Sequence, residues 1–149
     1  MRRAKGPAIA ILVLLVLGAV VFYATRDGST ESAERPLEDS SFVIEGRRTT
    51  CTQLFRHPCD YSLQLEFNRS GHNLENFVNS EYLGPYAENI GFAESAKLAL
   101  QACVLSHTAG KTILEFVEVG RADHPDAGLV ELFPFWNRAR QQLCPMPWQ

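Results

Sequence analysis

An uncharged apolar run of twenty residues, from Gly6 to Thr25, constrains this chain more than any other feature of its sequence. An α-helix rises about 1.5 Å per residue, so the run would cover roughly the 30 Å hydrocarbon core of a bilayer. Arg2, Arg3 and Lys5 precede the run, and basic flanks favour the cytoplasmic side. The sequence therefore predicts a single-pass membrane protein with a cytoplasmic N-terminus and an extracytoplasmic C-terminal domain.

The same run could instead be a signal peptide that is removed on export. Cleavage needs small side chains one and three residues before the cut. A cut after Ala24 would place Phe22 at the third position, and a cut after Thr25 would place Tyr23 there. The run is also longer than the usual apolar core of a signal peptide, about 7–15 residues. We therefore favour an uncleaved signal anchor over residues 1–25.

The segment from Arg26 to Ser41 differs sharply from its neighbours. It holds seven charges of mixed sign and one large aliphatic residue, too little apolar surface to offset the entropy of ordering. We interpret residues 26–41 as a disordered tether. The patterned sequence that follows, residues 42–149, has the length of one small domain.

Charge limits the partners that this exported domain can have. All seventeen Asp and Glu residues follow the anchor, against eleven Lys and Arg, so the exported part carries about −6. Nucleic-acid binding requires a basic patch or stripe, and the sequence therefore argues against that class of partner. The remaining partners are the membrane, reached through the N-terminal helix, and an envelope protein or cell-wall component.

Four cysteines follow the anchor, at positions 51, 59, 103 and 144. An even number of cysteines in an exported chain predicts disulfides. Four cysteines allow three pairings, and their spacing alone leaves the choice open. Cys51 and Cys59 could close a small loop.

Short strand-like stretches begin the exported domain. Phe42–Ile44 is a brief apolar run, and apolar and polar residues alternate from Tyr61 to Phe67. Alternation with a period of two is typical of a half-buried strand. The sequence therefore predicts a hairpin-like segment over residues 42–70. A lone hairpin is marginal in water, so this one would need a disulfide and a helical surface.

Helical periodicity fills residues 71–149, after a predicted turn at Asn68–Gly71. The first predicted helix is capped by Asn73, and the second extends from Phe92 to about His107. A third begins at a capping box of Thr112 and Glu115. We expect the third helix to stop at Gly120 and the main part of the last to begin at Pro134. The predicted core residues are Leu74, Phe77, Val78, Tyr82, Phe92, Ala96, Ala99, Leu100, Cys103, Ile113, Phe116, Val117, Leu129, Leu132, Phe133, Trp136 and Leu143.

Three stretches of the helical part carry a resemblance to a known family. Ala96–Cys103 ends a helix in cysteine, Gly110–Val117 is a glycine turn with a short helix, and Ala139–Pro145 ends in Cys-Pro. Over residues 73–145 the chain resembles the small helical domain of unknown function common in exported proteins of mycobacteria and other actinobacteria. The resemblance implies an envelope location and a Cys103–Cys144 disulfide, and it supplies no activity, catalytic residue or cofactor. Together with the small loop noted above, it favours the pairs Cys51–Cys59 and Cys103–Cys144.

Candidate chemical sites are few. Cys51, His57 and Cys59 could hold zinc, but the spacing fits no familiar finger and exported thiols usually oxidise. Gly110-Lys111-Thr112 has the ending of a phosphate loop but lacks its first glycine. We predict no metal and no cofactor, and we identify no catalytic residue.

Aromatic residues near the C-terminus are the best candidates for a binding surface. Helical spacing places Phe133 and Trp136 in the core, whereas Phe135 and Trp148 need not serve the core. Exposed aromatic side chains often mark binding patches.

The sequence therefore predicts a mainly α domain, stapled by disulfides and preceded by a hairpin-like segment, that acts as a non-catalytic binding module. The alternative is an accessory envelope enzyme, a hydrolase or redox protein, with an unrecognised site.

Topology provides the first test. Mass spectrometry of the mature protein should find residues before Ala24, because the sequence offers a poor cleavage site. Protease added outside intact spheroplasts should degrade a tag placed at the C-terminus. A mature N-terminus between Thr25 and Ser41 would contradict the anchor.

Overall fold

The computed structural model describes residues 37–145, so the predicted anchor, most of the tether and Trp148 lie outside the described residues. Within this range the chain is mainly helical, with one short antiparallel hairpin and two disulfides. No helix in residues 37–145 is long and apolar enough to cross a membrane. The elements are β1 (Ser41–Ile44), β2 (Arg47–Thr50), α1 (Cys51–Phe55), α2 (Tyr61–Val78), a 3₁₀ turn (Glu81–Leu83), α3 (Pro85–Ile90), α4 (Phe92–His107), α5 (Ile113–Asp123), α6 (Leu129–Arg138) and a π-helical turn (Ala139–Leu143).

Helix α4 lies at the centre of this fold and confirms the helix predicted from Phe92 to His107. It packs against α1, α2, α3, α5, α6 and the π-helical turn. Small side chains on α4 allow these neighbours to approach closely. The buried hydroxyl group of Ser95 on this helix donates a hydrogen bond to the Ala87 carbonyl at 3.0 Å. The buried residues of α4 are Ser95, Ala96, Leu98, Ala99, Leu100, Ala102 and Cys103.

The hairpin is shorter than the sequence predicted. β1 pairs with β2, with Phe42 opposite Thr49 and Ile44 opposite Arg47. Glu45 and Gly46 form its turn with positive φ angles of 49° and 72°, as a tight hairpin turn requires. The predicted strand over Tyr61–Phe67 is wrong, because these residues form the first part of α2.

Helix α2 begins at a cap that the alternating pattern concealed. Asp60 accepts a hydrogen bond from the Leu63 amide at 2.9 Å, and the helix then continues to Val78. The turn predicted at Asn68–Gly71 and the cap predicted at Asn73 are therefore also wrong. Gly71 serves packing, since a Cβ there would collide with the ring of Phe42.

Helix α5 confirms its predicted start but not its predicted end. The Glu115 carboxylate accepts from the Thr112 amide at 2.9 Å, and Thr112 Oγ1 accepts from the Leu114 amide. The helix continues through Gly120 to Asp123. A Cβ on Gly120 would lie 2.9 Å from Leu132 Cδ1, so this glycine allows α5 and α6 to approach closely.

Helix α6 continues through Pro134, where its main part was predicted to begin, and it buries a different face from the predicted one. Its first turn starts at Leu129, where Glu131 accepts from the Gly128 amide at 2.9 Å, and Pro134 lies inside the helix. Leu129 and Phe133, expected in the core, are 50% and 49% exposed. The buried residues of α6 and the π-helical turn are Leu132, Phe135, Trp136, Ala139 and Leu143.

Both preferred disulfides are confirmed. Cys51 bonds to Cys59, with Cα atoms 6.2 Å apart, and Cys103 bonds to Cys144, with Cα atoms 5.8 Å apart. The first ties α1 to the loop before α2. The second joins the C-terminal part of α4 to the residue that follows the π-helical turn, so it fixes the C-terminal end of the fold to the core.

The two disulfides should differ in their contribution to stability. Cys103 and Cys144 are separated by 41 residues and Cys51 and Cys59 by 8. The loop-entropy model assigns them about 4 and about 2.5 kcal/mol. Chemical denaturation should therefore show a larger loss for Cys103→Ala/Cys144→Ala than for Cys51→Ala/Cys59→Ala. The opposite order would contradict this account.

Candidate functional site

A large cleft lies beside the hairpin. Its walls are the hairpin, α1, the first turns of α4 and the end of α5, and it encloses about 850 Å³. The cleft opens to solvent and its lining is mainly polar and charged. Its size falls within the range of about 300–1,000 Å³ that is usual for small-molecule sites.

Arginine side chains dominate the hairpin side of the cleft. Arg47 and Arg48 come from β2, and Arg56 follows α1 with a left-handed backbone, φ 60°. Arg47 shares the hairpin face of the buried Ile44, whereas Arg48 alternates to the opposite face. Within residues 37–145 none of the three guanidinium groups has an ion-pair partner.

Two carboxylates on the α4 and α5 side of the cleft lie beside basic side chains. Lys97 Nζ lies 2.9 Å from Asp123 Oδ2, and this hydrogen bond is the main reason that the pKa of Asp123 is lowered. His124 Nε2 lies 3.5 Å from Glu94 Oε2, a contact too long or poorly aligned to count as a hydrogen bond. The two pairs therefore line the part of the cleft that α4 and the end of α5 form.

Aromatic rings complete the lining. Phe55 and Phe92 are half-buried and present part of their surface to the cleft. The His57 ring stacks on Phe55, with centroids 6.2 Å apart and planes inclined by 28°. His57 and Lys97 also line a smaller, more apolar groove of about 410 Å³ between the start of α2 and the middle of α4.

The ring of Tyr86 packs behind His124, edge to face, with centroids 6.2 Å apart. Burial raises the pKa of the Tyr86 hydroxyl, and the nearby carboxylates of Glu131 and Asp126 raise it further. Tyr86 therefore stays neutral at physiological pH and acts as a packing partner for His124.

A second charged cluster lies at the far end of α4. Glu66 is buried, with its side chain 4% exposed, and its Oε1 atom accepts from His107 Nδ1 at 3.1 Å and from Arg69 at 3.0 Å. The contacts tie α2 to the C-terminal end of α4. The sequence prediction missed this cluster, because in a strand Glu66 would have faced solvent.

The candidate metal ligands do not form a metal site. Cys51 and Cys59 are oxidised to a disulfide, so they offer no thiolates beside His57. The part of the chain that the structure describes contains no group of three or more side chains placed to hold a metal ion. Lys111 and Thr112 precede α5, and Thr112 is its N-cap rather than part of a phosphate loop.

The predicted aromatic binding surface needs correction. Phe135 is fully buried, with its ring edge-on to Tyr86 at 6.5 Å, so it cannot bind a partner directly. Trp148 lies outside the described residues. The exposed apolar side chains of α6 are instead Leu129, Val130 and Phe133, which we call the α6 patch; Val130 is 81% exposed.

Comparison of the chain with protein-family models, with curated proteins and with solved structures gives no significant match.

The structure brings Arg47, Arg56, Glu94 and Asp123 to one cleft, and the sequence prediction singled out none of them. These residues come from β2, the residue after α1, α4 and α5, and no short motif joins them. The sequence showed only that the domain is acidic, and it held no signal for the position of these four residues.

The Lys97–Asp123 pair gives a pH-dependent prediction. Because the folded pKa of Asp123 is lowered, its stabilising effect is present above its unfolded pKa of about 4 and is lost as the pH falls through the folded value. Asp123→Asn should cost about 1 kcal/mol or less near pH 7, since the pair is partly exposed. Urea denaturation should show this difference shrinking between about pH 5 and about pH 2. A difference that is the same at all pH values would contradict the ion pair.

Proposed function

We propose that this chain is a membrane-tethered envelope protein whose exported domain is a non-catalytic binding module for another envelope protein. The α6 patch is the observation that carries the proposal. Leu129, Val130 and Phe133 lie on one side of a single helix and are all at least 49% exposed. Contiguous exposed apolar surface of this kind marks interaction sites.

The backbone of α6 adds a polar feature to the patch. Pro134 has no N–H group, so it cannot donate the bond that the Val130 carbonyl would receive in an uninterrupted helix. A binding partner could supply this donor while covering the apolar side chains. The patch therefore combines apolar area with a specific hydrogen-bonding position, as binding interfaces commonly do.

Three observations support the proposed location. The two disulfides fit an oxidising, extracytoplasmic compartment. The Gly6–Thr25 run and its basic flank support a membrane anchor. The resemblance over residues 73–145 supports membership of the exported helical family, which we retain as part of the proposal.

A second candidate function is an accessory envelope hydrolase. The pairing of His124 with Glu94 in the cleft is the observation that favours it, because a carboxylate beside an imidazole can orient a general base. No serine is among the residues that line this cleft, and the one hydroxyl group in its lining belongs to Thr49. A hydrolase would therefore have to activate water directly.

Photocrosslinking in cells tests the α6 patch. A photoreactive residue at Val130 should give a discrete adduct with an envelope protein, and Phe133→Ala should reduce that adduct because it removes apolar contact area. The same photoreactive residue at Leu114, which is 66% exposed on α5, is the matched control and should give no such adduct.

Stability measurements separate binding from folding. Phe133→Ala should leave the melting temperature nearly unchanged, whereas Phe135→Ala should cost about 3–5 kcal/mol because Phe135 is in the core. An adduct at Val130 that persists in Phe133→Ala would contradict the patch. If cells with His124→Gln behave like cells that lack the protein, whereas cells with Phe133→Ala behave normally, the hydrolase is the better explanation.

A further inference from the structure

We infer that the cleft beside the hairpin binds an acidic saccharide, with its acid group held by Arg47 and Arg56 and its hydroxyl groups facing Glu94 and Asp123. This inference deepens the proposed binding function by naming a ligand class for a second surface. It does not depend on the α6 patch, so the two proposals can fail separately.

The distribution of charge supports an anionic ligand. Residues 37–145 contain nine Lys and Arg against fourteen Asp and Glu, a net −5. The cleft reverses this balance, because four of those nine cations line it against three carboxylates. Lys97 is already paired with Asp123. Among the described residues the guanidinium groups of Arg47 and Arg56 have no ion-pair partner, and a guanidinium binds a carboxylate through two parallel hydrogen bonds.

The α4 and α5 side of the cleft favours a ligand that also donates hydrogen bonds. Both Glu94 and Asp123 are acceptors; Asp123 is restrained by its 2.9 Å contact with Lys97, and Glu94 lies 3.5 Å from His124. These carboxylates would repel an acid group placed beside them but would accept bonds from hydroxyl groups. A saccharide with one acid group per ring supplies both kinds of contact.

The remaining lining fits the apolar face of a sugar ring. Phe55 and Phe92 expose parts of their rings within the cleft, and Thr49 and Gln53 add neutral hydrogen-bonding groups along the hairpin side. An acidic peptide would share the arginine contacts, but its backbone offers one N–H donor per residue, whereas a sugar ring offers several hydroxyl donors beside an apolar ring face. The mixed lining therefore favours a saccharide over a peptide.

Calorimetry with three matched probes tests the inference on the full chain in detergent. Tri-galacturonic acid carries both the acid and the hydroxyl groups, its methyl ester lacks the acid charge, and tri-glutamate lacks the sugar rings. We expect saturable binding of tri-galacturonic acid, binding at least about tenfold weaker for the other two, and weakening with added salt.

Variants locate the site. Arg47→Gln and Arg56→Asn should each weaken binding of tri-galacturonic acid by about tenfold or more, and asparagine suits the positive φ at position 56. Lys111→Gln is the control, because this exposed lysine precedes α5, whereas the cleft lies at the other end of that helix. Phe133→Ala, in the α6 patch, should also bind normally.

Any of the following results would overturn the inference. Equal binding of the methyl ester would show that the acid group is not recognised, and equal binding of tri-glutamate would show that the ligand is a peptide. Absence of saturable binding to tri-galacturonic acid would refute the saccharide site. Loss of binding in Phe133→Ala but not in Arg47→Gln would place the ligand on the α6 patch.

Discussion

The disulfide between Cys103 and Cys144 fixes the geometry on which the rest of the domain depends. It joins α4, the helix with the most packing partners among the described residues, to the end of the chain segment that carries α6. Small buried residues on α4, such as Ala96 and Ala99, let the neighbouring helices approach closely. The cleft uses the first turns of α4, and the α6 patch lies on the helix that the disulfide anchors. Both proposed binding surfaces are therefore positioned by the same covalently closed core.

Local signals in the sequence predicted the parts of the fold that depend on local chemistry. The capping box of Thr112 and Glu115 identified the start of α5, and the alanine-rich stripe identified α4. The alternation from Tyr61 to Phe67 was misleading, because Gln64 and Glu66 are polar residues buried in a helix and they interrupt its apolar stripe. Glycines misled for a related reason. Gly71 and Gly120 make room for neighbouring side chains, a tertiary role that looks like a turn or stop when the chain is read alone.

The candidate surfaces were harder to predict than the fold. The face of α6 that packs into the core is rotated slightly from the predicted face. As a result Phe135 is buried and Phe133 is exposed, the reverse of the prediction. An interior proline and a π-helical turn break the regular spacing on which that inference relied. The cleft could not be predicted, because Arg47, Arg56 and Asp123 meet only after the hairpin, α1 and α5 have packed around α4. Composition showed an acidic domain, but it could not show where unpaired arginines collect.

Amide hydrogen exchange of the oxidised protein, compared with Cys103→Ala/Cys144→Ala, tests most directly the claim that a stapled α4 organises the domain. We expect the amides of the buried part of α4, from Ala96 to Cys103, to be among the slowest to exchange in the oxidised protein. The hairpin and α1 should exchange sooner, because they contribute less buried surface. Removal of the disulfide should lower protection in α4 and in α6 together. Unchanged protection of α4 in the variant, or a hairpin that exchanges more slowly than α4, would contradict the account.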